Sequence, residues 1–79
     1  MRYAIKLLDG PGTGMYVKHY DPKAHRGQGE VVGTENLADA LKFNTIWEAT
    51  GFWKQEYGIR RDGKPNRPLT ASSVEIVKV

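Results

Sequence analysis

Two alternating runs around a glycine-rich cluster constrain this chain more than any other feature. In residues 3–8, Tyr3, Ile5 and Leu7 fall on one face, and Ala4, Lys6 and Leu8 on the other. Residues 15–20, Met15-Tyr16-Val17-Lys18-His19-Tyr20, alternate again. A period of two marks a half-buried strand, because successive side chains of a strand point to opposite faces. Between the runs lies Asp9-Gly10-Pro11-Gly12-Thr13-Gly14, a dense group of turn formers. The pattern predicts a β-hairpin with a loop longer than the tight two-residue type.

The rest of the chain adds one strong helix and one more strand. Asp21-Pro22 stops the second run, and residues 23–29 are polar and glycine-rich, which predicts an exposed loop. Glu30-Val31-Val32-Gly33 fits a short third strand. Thr34 is placed to cap a helical turn, since Leu37, Ala40 and Leu41 recur at helical spacing. Thr45-Ile46-Trp47-Glu48 is a capping box, in which hydroxyl and carboxylate each satisfy an orphan backbone N–H. After it, Ile46, Ala49, Trp53 and Tyr57 form one apolar stripe, flanked by Phe52, with Trp47 off the stripe. Gly58 is positioned as a left-handed stop. Residues 69–79, rich in Val, Ile, Thr and Ser, read as a final strand with Val74 and Ile76 inward. The fold class expected is α+β: a small antiparallel sheet in the order β-β-(β)-α-β, with one main helix packed on one face.

Length and composition bound the rest. The 79 residues make a single domain, 1–79, whose core must be closed by few large side chains. Trp47, Trp53, Phe43, Phe52, Tyr3, Tyr16, Tyr20 and Tyr57 supply them. Without cysteine there is neither a disulfide framework nor a thiolate metal site. No apolar run approaches the ~20 residues of a membrane span, and the N-terminus does not read as a signal peptide. A cytoplasmic protein with no membrane association is the expectation. Net charge is +3 with a pI of about 9.3, a surface that suits nucleic acid or an acidic protein as well as plain solubility.

The familiar chemical motifs are incomplete. The loop 9–14 lacks the Lys-Ser/Thr pair of a phosphate loop and leads into a strand, whereas a phosphate cradle opens onto a helix N-terminus. His19, Asp21 and His25 are metal-ligand types, but no third histidine or cysteine completes a set. Ser72 and Ser73 sit in a predicted strand with no nucleophile-elbow pattern. These readings predict a protein that is not an enzyme and uses no metal or cofactor.

Basic residues are the remaining candidates. Arg60, Arg61, Lys64 and Arg67 cluster within eight positions, in a segment that Asp62-Gly63, Pro65 and Pro68 stiffen. Lys18, Lys23 and Arg26 form a second cluster after the second strand, with Tyr16 and Tyr20 interleaved. If both clusters flank one sheet edge, they make a continuous positive patch. Arginine forks grip phosphates or carboxylates, and rings stack bases or anchor protein contacts.

The run Asp62-Gly63-Lys64-Pro65-Asn66-Arg67-Pro68-Leu69-Thr70-Ala71, followed by Val74-Glu75-Ile76, carries a resemblance. With it go Tyr20-Asp21-Pro22, Thr34-Glu35-Asn36 with Ala40 and Phe43, and Glu48-Ala49 with Phe52-Trp53. Together they resemble a family of short uncharacterised phage and prophage proteins. The resemblance implies no established activity and no functional residues. It implies a small accessory protein of a mobile element, of the kind that binds and blunts a host factor such as a CRISPR or other defence component. The expectation is therefore a non-enzymatic anti-defence inhibitor that meets an acidic host protein through its basic loop face. The alternative is a small DNA- or RNA-binding domain using the same surface. Either a monomer or a homodimer fits, the latter through an exposed edge in residues 69–77.

Overall fold

The computed structural model describes residues 2–68 and 73–79. Four strands form one antiparallel sheet in the order β3-β2-β1-β4. They are β1 (Tyr3–Leu7), β2 (Tyr16–Asp21), β3 (Glu30–Thr34) and β4 (Val74–Lys78). The main helix, Ile46–Lys54, covers one face of this curled sheet. The α+β class and the strand order along the chain are as the hydrophobic pattern predicts. Residues 69–72 of the expected last strand lie outside the described residues. Among the described residues, no helix is long and apolar enough to cross a membrane.

The core follows from the period of two. Ile5, Leu7 and Val17 project from the sheet onto Ala49 and Trp53 of the helix, and Val74 and Ile76 pack against this cluster. On the opposite face the alternation places Lys6, with Tyr16 and Glu75 as its cross-strand neighbours. Strand β2 cannot keep strict alternation. Val17 faces Gly33 and His19 faces Val32, so Lys18 is an extra, bulged residue. The bulge turns Val17 and Tyr20 to the same buried side and leaves Lys18 and His19 exposed.

Hairpin strands β1 and β2 meet only at the loop end, where Lys6 faces Tyr16. Below that point they diverge, and residues 41–43 wedge into the gap. Leu41 donates its backbone N–H to Val17 at 3.0 Å, and Phe43 and Tyr3 exchange two backbone bonds at 2.8 Å. Leu41 and Phe43 turn inward, and Phe43 packs on Phe52 with ring centroids 5.5 Å apart. Lys42 alternates to the outer side and donates to the carbonyls of Leu37 and Ala40, which closes a 3-10 turn at Leu37–Asp39. Asn36, rather than Thr34, caps that turn by accepting from the Ala38 N–H at 3.0 Å.

The main helix starts where the capping box predicts. Thr45 Oγ1 accepts from the Glu48 N–H at 3.1 Å, while the Glu48 carboxylate reaches the N–H of Asn44 rather than that of Thr45. Its end differs from the expectation. The helix stops at Lys54, and Gln55 is already extended. The cause is tertiary: Tyr57 donates its N–H to the Asn66 carbonyl at 2.9 Å, and Asn66 donates to the Gly58 carbonyl at 2.8 Å. Residues 57 and 58 are thus claimed by the basic segment before another helical turn can form. The expected stripe shortens accordingly. Ala49 and Trp53 are buried, whereas Ile46 is half exposed. Trp47, off the stripe, is 83% exposed.

Candidate functional site

The basic segment folds back on itself. Arg60 donates to the Lys64 carbonyl at 2.7 Å, Gly63 donates to the Arg60 carbonyl at 3.0 Å, and Ile59 bridges to Pro65. Asp62 Oδ1 accepts from the Lys64 N–H at 3.0 Å, and Gly63 takes φ +83°, so Asp62-Gly63 forms the turn it predicts. The result is a small two-stranded tongue over residues 59–65.

One residue ties this tongue to the loop that follows β2. Asn66 is 4% exposed, the only buried polar side chain among the described residues. Its amide donates to the Pro22 carbonyl at 2.8 Å and to the Gly27 carbonyl at 3.0 Å, and its oxygen accepts from the Tyr20 hydroxyl. Both amide hydrogens and the oxygen are therefore engaged, which a buried amide requires to offset its desolvation. The loop it grips is unusual. His25 and Arg26, in the helical turn Ala24–Gly27, have φ of +52° and +61°, a left-handed conformation that costs non-glycine residues roughly 1–2 kcal/mol each. Gly29 passes so close that a Cβ there would lie 1.9 Å from the Tyr20 hydroxyl oxygen and 2.8 Å from Asn66 Oδ1.

The Tyr20 ring packs on Tyr57, with centroids 5.3 Å apart and planes tilted by 45°. Burial pushes the Tyr20 phenol above its ordinary range, and the Arg60 guanidinium partly offsets this. Tyr20 was expected to offer its ring to a ligand; instead it is 5% exposed and holds the site together from beneath. Tyr16 sits at the other end of β2 on the outer face, roughly 13 Å away at ~3.3 Å per residue. Lys18 also lies on that outer face, at the bulge. The single patch expected from the two clusters therefore divides. Lys23 and Arg26 join the tongue residues Arg60, Arg61 and Lys64 through Asn66; Lys18 and Tyr16 do not.

Within the joined part, the carboxylates are engaged. Asp62 pairs with Arg60 at 3.4 Å, Glu56 with Arg67 at 3.6 Å, and Glu30 lies 3.7 Å from His25. Asp21 accepts from the Lys23 N–H at 3.0 Å. Lys23, Arg26, Arg61 and Lys64 are exposed and make no ion pair among the described residues. Between loop and tongue lies an open cleft of about 320 Å³. Its walls are Pro22, Lys23 and Gly27 on one side and Tyr57, Gly58 and Ile59 on the other, with Asn66 between.

No family model, curated protein or solved structure matches the chain. Three of the site's organising residues, Asn66, Gly29 and Tyr57, are not among the candidates the sequence offers, although Asn66 and Gly29 lie within the basic segment and the loop 23–29. For Asn66 the available signal was an uncharged amide set inside a stiff basic run. Gly29 carried none beyond loop composition, and Tyr57 was hidden by its fit to the helical stripe.

Proposed function

We propose that the chain is a small non-enzymatic binding protein that presents a preordered basic face to an acidic protein surface. The observation that carries this is the Asn66 junction, which joins two cationic segments distant in sequence across one cleft. An interaction surface gains affinity when its loops are ordered before binding, because less conformational entropy is lost on association. A loop held in left-handed geometry by a buried amide has that property. The phage and prophage resemblance supplies the setting: an accessory protein that modulates a host factor, with an anti-CRISPR or other anti-defence role as the form it would take.

The nucleic-acid alternative uses the same cations and loses Tyr20 as a stacking surface, so the protein-partner reading is preferred. The test is capture of partners from bacterial host lysate, with and without nuclease. The bait carries Lys23→Glu, Arg26→Glu, Arg61→Glu and Lys64→Glu together, beside the parent chain. One protein, retained after nuclease and lost with the charge-reversed bait, is the expected result. Capture that disappears with nuclease supports DNA or RNA instead. Capture that is unchanged by charge reversal rejects the face.

A further inference from the structure

Resting on that reading, we infer that the cleft between the loop and the tongue takes one apolar side chain of an acidic, extended peptide segment, whose flanking carboxylates meet the cations around it. The floor of the cleft has no free hydrogen-bonding group left at Asn66. Asn66 spends both amide hydrogens, its side-chain oxygen and both backbone groups on Pro22, Gly27, Tyr20, Gly58 and Tyr57. A nucleobase or sugar in this cleft would find that amide already committed. The Tyr57 ring is tilted against Tyr20 on one side, which leaves it at most one face for a base, so a nucleobase could not be sandwiched between the two rings.

What the cleft does offer is carbon. Pro22, the Tyr57 ring and Ile59 line it, and the glycines at 27 and 58 add backbone without side chains. Ile59 is 66% exposed, a large aliphatic group in water beside a concavity. The volume of about 320 Å³ is at the small end of the range for ligand pockets, which suits a side chain rather than a cofactor. Lys23 lines the cleft, and Arg26, Arg61 and Lys64 are exposed on the loop and the tongue that form its two sides, while the neighbouring carboxylates are already engaged. An apolar anchor in a pocket with charged groups around it is the arrangement in which few residues dominate binding. Charge complementarity then selects aspartate or glutamate beside the anchor.

Fluorescence anisotropy with the full chain and labelled probes of about ten residues tests this. The first probe has one leucine between two pairs of aspartates. A second replaces the leucine with glycine, a third replaces the aspartates with asparagine, and a fourth is oligothymidylate of matching charge. The leucine–aspartate probe should bind at least about tenfold more tightly than each of the others, roughly 1.4 kcal/mol per tenfold. Ile59→Asp, at an exposed position where folding is not at stake, should weaken that probe by about tenfold or more. Lys18→Glu, on the outer face, should change it by less than about twofold.

Equal binding of the leucine and glycine probes overturns the inference, as does tighter binding of the oligonucleotide or no binding at about 1 mM probe. The two readings fail separately. If the glycine probe binds as well as the leucine probe and both are lost on fourfold charge reversal, the basic face stands and the anchor falls. If no probe binds and lysate capture ignores charge reversal, both fall.

Discussion

Gly29 and Gly14 form a matched pair that isolates the worth of the Asn66 junction. Both have φ +88°, so an alanine at either position pays a similar left-handed penalty, about 1–2 kcal/mol. Around Gly14 nothing lies within 4 Å of the added Cβ. At Gly29 the Cβ would sit 1.9 Å from the Tyr20 oxygen and 2.7 Å from its Cζ, inside any tolerable contact. Tyr20 is buried among core residues and cannot swing away cheaply, so its bond to Asn66 must break. That strands a buried amide oxygen, which costs a further ~1–3 kcal/mol. Gly29→Ala should therefore destabilise the fold by about 2–5 kcal/mol, against about 1–2 for Gly14→Ala. A domain of 79 residues has only about 4–12 kcal/mol to lose. Urea denaturation of the two variants beside the parent measures the difference, with equal slopes as the check that the denatured states are comparable. Equal midpoints for Gly29→Ala and Gly14→Ala would refute the reasoning, because the junction would then not be close-packed at Gly29.

The other predictions use the same assay. Thr45→Ala should cost about 1 kcal/mol, since the Glu48 N–H loses its acceptor at the helix start. Trp53→Ala should cost about 3–5 kcal/mol, whereas Trp47→Lys, one residue off the buried stripe, should stay within about 0.5 kcal/mol. The Tyr20 phenol is held above its ordinary value of 10.0 by burial, so the folded chain keeps this proton more tightly than the unfolded chain does. Its contribution is complete below about pH 10 and is lost as pH rises through the folded value. Urea midpoints measured from pH 8 upward should fall more steeply for the parent than for Tyr20→Phe, and parallel curves would count against the assignment.

Much of the fold was legible because its signals are local. Alternation in residues 3–8, and in 15–20 as far as Val17, gives the face that meets the helix, although Ala4 on the opposite face is fully buried as well, and the Thr45–Glu48 pair locates the helix start within the chain. What was not legible depends on residues far apart. Tyr57 fits the helical stripe perfectly well as a sequence pattern, yet its backbone is taken by Asn66, and no local propensity encodes that competition. Strict alternation mispredicts Tyr20, because the bulge at Lys18 reverses the faces of everything after it. A one-residue insertion of this kind has no distinctive composition. At the candidate site, the cations were visible as a cluster, but their grouping was not. Lys18 and Lys23 are near in sequence and fall on different surfaces, while Lys23 and Lys64 are far apart and share one.

The wedge of residues 41–43 between β1 and β2 also bears on the order of assembly. A simple hairpin can zip from its loop as soon as it leaves the ribosome. Here zipping stalls after Lys6–Tyr16, because the next partners of Tyr3 and Val17 arrive more than twenty residues later. The other neighbour of β1 is β4, separated from it by most of the chain. The first strand can therefore complete its native pairing only once residues 41–43 and β4 are available, and apart from the loop-end contacts with β2 its partners lie far away in sequence. Such topologies close slowly, since loop entropy is spent before the contacts form. Residues 41–43 pair the backbone groups of Tyr3 and Val17 that the hairpin alone leaves open, so the wedge closes what would otherwise be two unpaired strand edges.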